Sequence, residues 1–318
     1  MHSGSAEDTV PLIVRKKSIE FARSLFGNPF FASLALTFTT GKIVVNRVCG
    51  ASWVTALRSG LVGMFAYVFG CYLIHMLSES SNADTSGTDN YGTVQSLKIF
   101  AAVMAWLAVT WVILAVTVLN REGRVDFKIP LWSQLLENWR SFVQNLADNS
   151  TLIEGTGLFG WPYLVLYLLI PAVFLRKSNL AFPRFFGMKT SKPALPFVAV
   201  YGAGFVAVRG IHVKSLLTLL FVIVWPALGE EFLYRGIVQR VLSGCTKNPV
   251  TGIVFASFLF ALSHIPAYVL GSSLPPILAW SSLLPVLFTS FFWGYGYYRT
   301  GVLWPWILIH AVSNLNGL

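Results

Sequence analysis

The chain has 318 residues, of which 55% are apolar and only 11% are charged, and its formal net charge is +10. Soluble domains carry about 25% charged residues, so this composition excludes a soluble globular protein and favours an integral, multi-pass membrane protein. The net charge does not indicate nucleic-acid binding, because the Lys and Arg residues lie in short segments between apolar runs, where the positive-inside bias places them. Cys49, Cys71 and Cys245 are too few and too scattered for a disulfide framework or a Cys-based zinc site.

Long runs without Lys, Arg, Asp or Glu mark the predicted membrane-spanning helices. A helix needs about 20 mostly apolar residues to cross a bilayer, and the run from Asn248 to Tyr298 alone holds 51 residues without such a charge. We predict an all-α fold, a polytopic transmembrane helical bundle of about eight spans, at residues 53–77, 97–119, 157–175, 194–211, 215–242, 249–265, 277–298 and 302–317. A weaker ninth span is predicted at 28–46.

The segments between the spans carry the topological signals. The tail 1–23 is partly basic, and segment 176–193 holds five Lys or Arg and no acid, so both are predicted to be cytoplasmic. Segment 79–95 has no Lys or Arg and is predicted to lie on the outer side. The two basic segments share a side only if the ninth span exists, which would bring 79–95 inside. Apolar residues at helical spacing within 131–146 predict a helix along the membrane surface.

The distribution of acids is the most informative feature of the second half. The last 164 residues hold only two acidic side chains, Glu230 and Glu231, inside one apolar run. A carboxylate in a membrane span costs about 2.5–3.5 kcal/mol on insertion scales and is usually paired or functional. Arg235 lies on the same helix face as Glu231, so we predict an ion pair that leaves Glu230 facing a cavity. Pro226 is predicted to kink this helix.

Two later apolar runs add further polar side chains. His264 ends one run, and His310 and Asn314 share a face of the last predicted helix. Three helices could therefore bring a carboxylate, two imidazoles, an amide and an ion pair to one point. His75 and His212 belong to no such polar cluster and are interpreted as structural hydrogen-bonding residues.

These residues form three motifs of a known family. The sequence Glu230-Glu231-Phe-Leu-Tyr-Arg235 resembles the EExxxR motif of the CPBP intramembrane proteases, which include the type II CAAX prenyl endopeptidases and proteins linked to bacteriocin immunity. Phe260-Ala-Leu-Ser-His264 is similar to the FxxxH motif of that family, and His310-Ala-Val-Ser-Asn314 to its HxxxN motif. The motifs occur in the family's order within about 85 residues, and the first 200 residues carry no match.

The resemblance implies a helical membrane protease whose site lies in the bilayer and opens to the cytosol. It implies that Glu230 and His264 activate a water and that His310 and Asn314 stabilise the oxyanion. The supporting residues that hold the site's shape would be Glu231, Arg235 and Phe260. We accordingly divide the chain into a tail with variable transmembrane helices, 1–193, and a catalytic transmembrane core, 194–318.

The predicted function is hydrolysis of a peptide bond in a membrane-associated protein, with prenylated CAAX-type proteins as one candidate, and without a cofactor. The predicted partners are membrane lipid and a peptide or lipidated-protein substrate, and the bacterial plasma membrane is favoured over the endoplasmic reticulum. Two alternatives use the same cluster. A zinc metallopeptidase would take Glu230, His264 and His310 as ligands, although the chain has no His-Glu-x-x-His pair. A non-enzymatic scaffold, transporter or bacteriocin-immunity-type protein would keep the cluster for assembly or transport.

Overall fold

The structure is a computed structural model that describes residues 9–78, 93–127, 129–147, 163–177, 183–184 and 191–316. These residues are overwhelmingly helical, and no strand occurs among them, so the predicted all-α class is confirmed. The α-helices are α1 (Thr9–Phe26), α2 (Pro29–Val48), α3 (Trp53–Leu77), α4 (Thr93–Arg121), α5 (Pro130–Ala147), α6 (Ile170–Lys177), α7 (Leu195–Arg209), α8 (Val213–Val222), α9 (Leu228–Leu233), α10 (Arg240–Thr246), α11 (Pro249–Ser263), α12 (Pro276–Ser281), α13 (Leu283–Thr300) and α14 (Trp304–Asn316).

Several α-helices continue into wider π-helical turns rather than ending. The π-turns are Val165–Leu169 before α6, Ile223–Ala227 between α8 and α9, Tyr234–Gln239 between α9 and α10, and Pro266–Leu270 after α11. The segments α8, α9 and α10 therefore form one long rod. Pro226 lies inside the first π-turn of that rod, so the predicted disturbance by proline takes the form of a widened turn.

Five helices of the described chain are long and apolar enough to cross a membrane, namely Trp53–Leu77, Lys98–Arg121, Ser215–Thr246, Pro249–Leu270 and Pro276–Thr300. These correspond to five of the eight predicted spans. Helices α7 and α14, with 15 and 13 residues, occupy two more predicted positions but are shorter. The span predicted at 157–175 lies partly outside the described residues. A count of about eight is compatible with this arrangement.

The helices run between two ends of the bundle, which we call the Ser78 end and the Leu270 end. At the Ser78 end, Lys17 Nζ donates to the Ser78 carbonyl at 2.9 Å, and Arg299 Nε donates to the Ser78 hydroxyl at 2.8 Å. At the Leu270 end, Arg124 donates to the Leu270 carbonyl at 3.0 Å. Helix α3 thus ends where α13 ends, and α4 ends beside the π-turn that follows α11.

The helix predicted as the ninth span is present as α2. Asn28 caps it through Phe30 N at 3.0 Å, and the Asn28 amide also donates to Thr251 Oγ1 at 2.8 Å, which places the start of α2 beside the start of α11. Helix α2 packs on α3, where Gly60 lies against Thr39. Its 20 residues correspond to about 30 Å at 1.5 Å per residue, enough to reach the opposite end of the bundle.

Helix α5 covers the segment for which a surface helix is predicted. Trp132 Nε1 donates to Thr117 Oγ1 at 2.9 Å, and the ring of Trp139 lies 5.4 Å from that of Trp225. The helix is therefore confirmed and is fixed to the rod formed by α8 to α10. Its position along a membrane surface stays a prediction.

Candidate active site

The two glutamates lie on α9, a short α-helical stretch between two π-turns. Both are buried, with 6% of Glu230 and none of Glu231 exposed. A π-turn shifts the register of the residues that follow it, and such turns are frequent at functional sites. Here the two π-turns set the directions in which the side chains before and after α9 project.

The predicted ion pair is present. Arg235 Nε lies 3.1 Å from Glu231 Oε2, and Arg235 Nη2 donates to Ser290 Oγ at 3.2 Å on α13. The guanidinium also lies over the rings of Phe260 and Trp293, at 4.6 and 5.5 Å from their centroids. One buried cation is thus held by a carboxylate, a hydroxyl and two aromatic faces.

His310 connects the two glutamates. Its Nδ1 lies at hydrogen-bond distance, 2.8 Å, from Glu231 Oε1, and its Nε2 lies 3.2 Å from Glu230 Oε2. The ring of Trp293 stacks on the imidazole at 4.3 Å. The imidazole is therefore fixed on three sides, and α14 is tied to α9 through it.

The second oxygen of Glu230 has a different partner. The Tyr163 hydroxyl donates a hydrogen bond to Glu230 Oε1. Tyr163 is itself buried, with 7% exposed, and stacks on Tyr167 at 4.0 Å. Each carboxylate oxygen of Glu230 therefore faces a side chain from another helix, which fixes the orientation of the carboxylate plane.

His264 lies at the C-terminal end of α11. Its Nδ1 lies 2.8 Å from the carbonyl oxygen of Phe260, and a neutral imidazole that donates from Nδ1 carries its lone pair on Nε2. The ring of Phe260 packs against both His264 and His310, at 4.7 and 5.9 Å between centroids. Phe260 thus spaces the two imidazoles.

A cavity of about 420 Å³ joins these groups. All four predicted catalytic residues, Glu230, His264, His310 and Asn314, line it, whereas Glu231 and Arg235 lie behind its wall. The lining also includes Tyr268 and Ser282, which lie near the Leu270 end, so the cavity extends toward that end. The arrangement agrees with the predicted division between a carboxylate facing a cavity and a carboxylate paired with arginine.

Two tryptophans of the cavity wall have indole N–H groups that are available to donate hydrogen bonds. Trp225 and Trp293 both line the cavity, and Nε1 of each is buried without a hydrogen-bond partner among the described residues. A buried donor without a partner costs about 1–3 kcal/mol. Such donors suit a ligand that brings carbonyl oxygens into the cavity.

Most of the residues that form this site lie in a segment that is similar to a known protein family. Residues 212–316 match the family model described as Rce1-like, type II CAAX prenyl endopeptidase Rce1-like. The matched segment contains all three sequence motifs. We call these matched residues the Rce1-like segment. The resemblance to the CPBP proteases is thereby confirmed, whereas no curated protein and no solved structure matches the chain.

The Rce1-like match falls within the predicted core 194–318, and the boundary at 193/194 stays a prediction. Tyr163 is not among the site residues predicted from the sequence; it lies outside the Rce1-like segment and 67 residues before Glu230. A weak signal existed, because Tyr163 and Tyr167 stand four residues apart in an otherwise apolar run. That spacing alone does not separate a site residue from an interfacial tyrosine.

His75 and His212 have the local contacts expected of structural residues. His75 Nδ1 lies 2.9 Å from the Tyr295 hydroxyl, and His212 interacts with the Ser215 hydroxyl. Within the described ranges, no group of three or more His, Cys, Asp or Glu side chains is placed to hold a metal ion. The alternative zinc ligands Glu230, His264 and His310 stay a hypothesis for metal analysis.

Proposed function

We propose that this integral membrane protein is an endopeptidase that hydrolyses a peptide bond of a membrane-associated protein within the bilayer. The observation that supports it best is the cavity in which Glu230, His264, His310 and Asn314 converge from three helices. The Rce1-like match supports a peptide hydrolase. It also favours a protein with a prenylated CAAX-type C terminus as the substrate.

In the proposed reaction Glu230 acts as the general base. The carboxylate removes a proton from a water in the cavity, and His264 shares that water through Nε2. The water oxygen attacks the peptide carbonyl carbon and forms a tetrahedral intermediate. When the carbon–nitrogen bond breaks, the proton held by Glu230 passes to the leaving amine, so that the carboxylate is restored.

The oxyanion of the intermediate requires donors on the opposite side of the carbonyl. We assign this role to His310 and Asn314, with the indole N–H groups of Trp225 and Trp293 as further donors to the peptide. Two buried carboxylates outnumber the single charge of Arg235, so a protonated His310 makes the cluster neutral. In that state both imidazole nitrogens donate, and Nε2 can be shared between Glu230 and the oxyanion.

Glu231 and Arg235 are proposed to hold the site rather than to react. Glu231 accepts from His310 Nδ1 and pairs with Arg235. Its two oxygens are therefore directed at fixed partners behind the cavity wall. This arrangement positions His310, which in turn faces Glu230.

The proposal is tested by single-turnover cleavage with the protein purified in detergent. Wild type, Glu230→Gln and Glu231→Gln are compared at equal folded concentration, on prenylated and unprenylated CAAX-type peptides side by side. Glu230→Gln keeps size and polarity and removes only basicity, so we expect turnover to fall by about 10²–10⁴-fold. A Glu230→Gln variant that cleaves within a few-fold of wild type would favour the scaffold or transporter alternative, or Glu231 as the base.

For the host membrane we propose the bacterial plasma membrane, with membrane lipid and a lipidated protein as partners. Fractionation of a tagged chain expressed from its native host tests this location. Enrichment in endoplasmic reticulum membranes would contradict it.

A further inference from the structure

Tyr163 contacts the proposed base from outside the Rce1-like segment. Its hydroxyl donates to Glu230 Oε1, its side chain lines the cavity, and it enters the site beside the π-turn Val165–Leu169. Neither the three motifs nor the family match gives it a role. A group that touches the base and also borders the substrate cavity is placed to affect the reaction.

The contact determines how the Glu230 carboxylate is oriented. Oε1 accepts from Tyr163, whereas Oε2 lies 3.2 Å from His310 Nε2 without a well-aligned hydrogen bond. A carboxylate held at one oxygen cannot turn about its last torsion without breaking that bond. Oε2 is therefore the oxygen left with acceptor capacity for a water.

Tyr163 is itself held by a chain of tyrosines. The ring of Tyr163 stacks on that of Tyr167, with 4.0 Å between the centroids. The rings of Tyr167 and Tyr234 lie 6.3 Å apart. Tyr234 in turn packs on Phe260 at 5.0 Å, so this chain of rings begins at the donor to Glu230 and ends at the ring that packs on His264.

The backbone brings this chain close to α9. A Cβ built at Gly229 would lie 3.0 Å from Tyr167 Cβ, which is tighter than ordinary van der Waals contact. Glycine at this position lets the tyrosine-bearing helix approach the residue directly before Glu230. The hydrogen bond from Tyr163 therefore rests on a close helix–helix contact.

We propose that Tyr163 is a positioning residue for Glu230, which holds Oε1 so that Oε2 is presented to the attacking water. This inference rests on the proposed function, because it assigns to Tyr163 a part in the same reaction. It extends the site to a helix outside the Rce1-like segment. The tyrosine chain keeps the donor in place while the substrate occupies the cavity.

The first experiment compares Tyr163→Phe with wild type on the CAAX-type peptide that wild type cleaves. The variant keeps the ring and its stacking on Tyr167 and removes only the hydroxyl. We expect kcat to fall by about 10- to 100-fold, the size expected for a hydrogen bond to a charged group, with KM changed less than threefold. Tyr72→Phe, which removes a hydroxyl bonded to Ser18 far from the cavity, is the matched control and should keep wild-type kcat.

A double variant separates positioning from a general structural effect. If Tyr163 acts through Glu230, adding Tyr163→Phe to Glu230→Gln should lower the residual single-turnover rate by less than about twofold, because coupled residues are not additive. A full additional 10- to 100-fold loss would overturn the inference, as would wild-type kcat in Tyr163→Phe. If Glu230→Gln is inactive while Tyr163→Phe is normal, the proposed function stands and this inference fails.

A measurement without cleavage tests the contact itself. The carboxylate stretching band of Glu230 can be identified in infrared difference spectra by its loss in Glu230→Gln. We expect that band to shift in Tyr163→Phe and to stay in place in Tyr72→Phe. An unshifted band in Tyr163→Phe would overturn the inference even if the protein proves to have no peptidase activity.

Discussion

At the scale of single residues, the site is a small set of polar side chains whose burial is offset by mutual contacts. Burying an isolated charge is far more costly than burying one that is paired and hydrogen-bonded. Glu231 has its partners in Arg235 and His310, and Glu230 has its own in Tyr163 and His310. Removing one member therefore leaves another charge or dipole without its partner.

Arg235→Ala is expected to lower the amount of folded protein as well as activity. Removing one partner of a buried pair typically costs about 3–5 kcal/mol, and Arg235 additionally loses its contacts with Ser290 and Phe260. Thermal unfolding in detergent and yield after size exclusion measure the effect. Arg124→Ala, which removes an exposed arginine and one hydrogen bond to the Leu270 carbonyl, is the control and should lose far less stability than Arg235→Ala.

A double variant that removes both charges shows whether the loss of stability comes from the Glu231 carboxylate that remains without its partner. Glu231→Gln combined with Arg235→Met removes both charges, so we expect it to recover part of the stability that Arg235→Ala loses. Normal stability of Arg235→Ala with only catalysis lost would contradict the structural role and place Arg235 in the chemistry.

Activity is expected not to depend on a bound metal. The motivation is that Glu230 and His264 suffice as a proton-accepting pair, and that His310 has its nitrogens directed at two glutamates rather than at a common point. The measurement is elemental analysis of purified protein together with activity after a strong chelator. Stoichiometric zinc, with activity lost on its removal and regained on its return, would contradict this prediction.

At the scale of helices, the π-turns explain how one rod presents several functional groups. A regular α-helix repeats its faces every 3.6 residues, so Pro226, Glu230 and Arg235 would keep fixed relative directions. The wider turns Ile223–Ala227 and Tyr234–Gln239 change those directions on either side of α9. Glu230 and Glu231 lie within α9 itself and point about 100° apart, so that Glu230 faces the cavity while Glu231 lies behind its wall.

The close packing of α9 on the tyrosine-bearing helix can be tested with one methyl group. Gly229→Ala would place Cβ 3.0 Å from Tyr167 Cβ, so the two helices must separate by a few tenths of an ångström. We expect turnover to fall by roughly tenfold, because small misplacements of a catalytic group are costly. Single-turnover cleavage at equal folded concentration measures this.

Gly202→Ala provides the matched control for that variant. Gly202 also lies within a helix, α7, but its added Cβ would have no neighbour within 4 Å. It should keep wild-type turnover and gain up to about 1 kcal/mol from the higher helix propensity of alanine. Equal turnover in both variants would show that the contact between Gly229 and Tyr167 does not position the base.

At the scale of the whole molecule, two expectations about topology conflict. The helix that begins with Tyr163 at the cavity ends at Lys177, and the Arg184 carbonyl accepts from Leu303 N. Arg184 of the predicted cytoplasmic segment therefore lies toward the Ser78 end, whereas the cavity extends toward the Leu270 end. The prediction that segment 176–193 is cytoplasmic and the prediction that the cavity opens to the cytosol therefore place opposite ends of the bundle in the cytosol.

The first half of the described chain bears on the same question of topology. Because α2 runs the length of the bundle and α3 returns, Lys17 and Ser78 meet at one end. Lys17 of the basic tail and Arg184 of the basic segment then lie toward the same end of the bundle. Residues 79–92, which make up most of the segment predicted to lie on the outer side, are outside the described residues.

Native cysteines allow this orientation to be measured. Cys49 follows α2 and Cys245 ends the long rod, and both are exposed, whereas Cys71 is buried. Asn28 contacts Asn248 at 3.3 Å, so Cys245 lies at the end where α2 begins and Cys49 at the end where it stops. In sealed vesicles, an impermeant thiol reagent added on one side should label only one of two single-cysteine variants.

By the positive-inside rule Cys245 should react from the cytoplasmic side. Labelling of Cys49 and Cys245 from the same side would show that α2 does not cross the membrane. Reaction of Cys49 from the cytoplasm would instead favour the cytosolic opening that the family resemblance implies.

The features that could be predicted from the sequence depend on local composition and on the free-energy cost of burying a charged side chain. Apolar runs of about 20 residues predict spanning helices whatever surrounds them. A carboxylate within such a run needs a partner, and Arg235 one turn from Glu231 supplies it. The motifs around Glu230, His264 and His310 could therefore be identified from the sequence. The family resemblance could be identified as well, and the match of residues 212–316 confirms it.

Only the tertiary structure decided which distant side chains complete the site. His310 meets Glu231 across 79 residues and Tyr163 meets Glu230 across 67. Periodicity cannot predict such pairs, because it relates residues of one helix and not the rotation or depth of one helix against another. The end toward which the cavity extends was likewise undetermined, since it follows from how the helices pack and from where π-turns shift their faces.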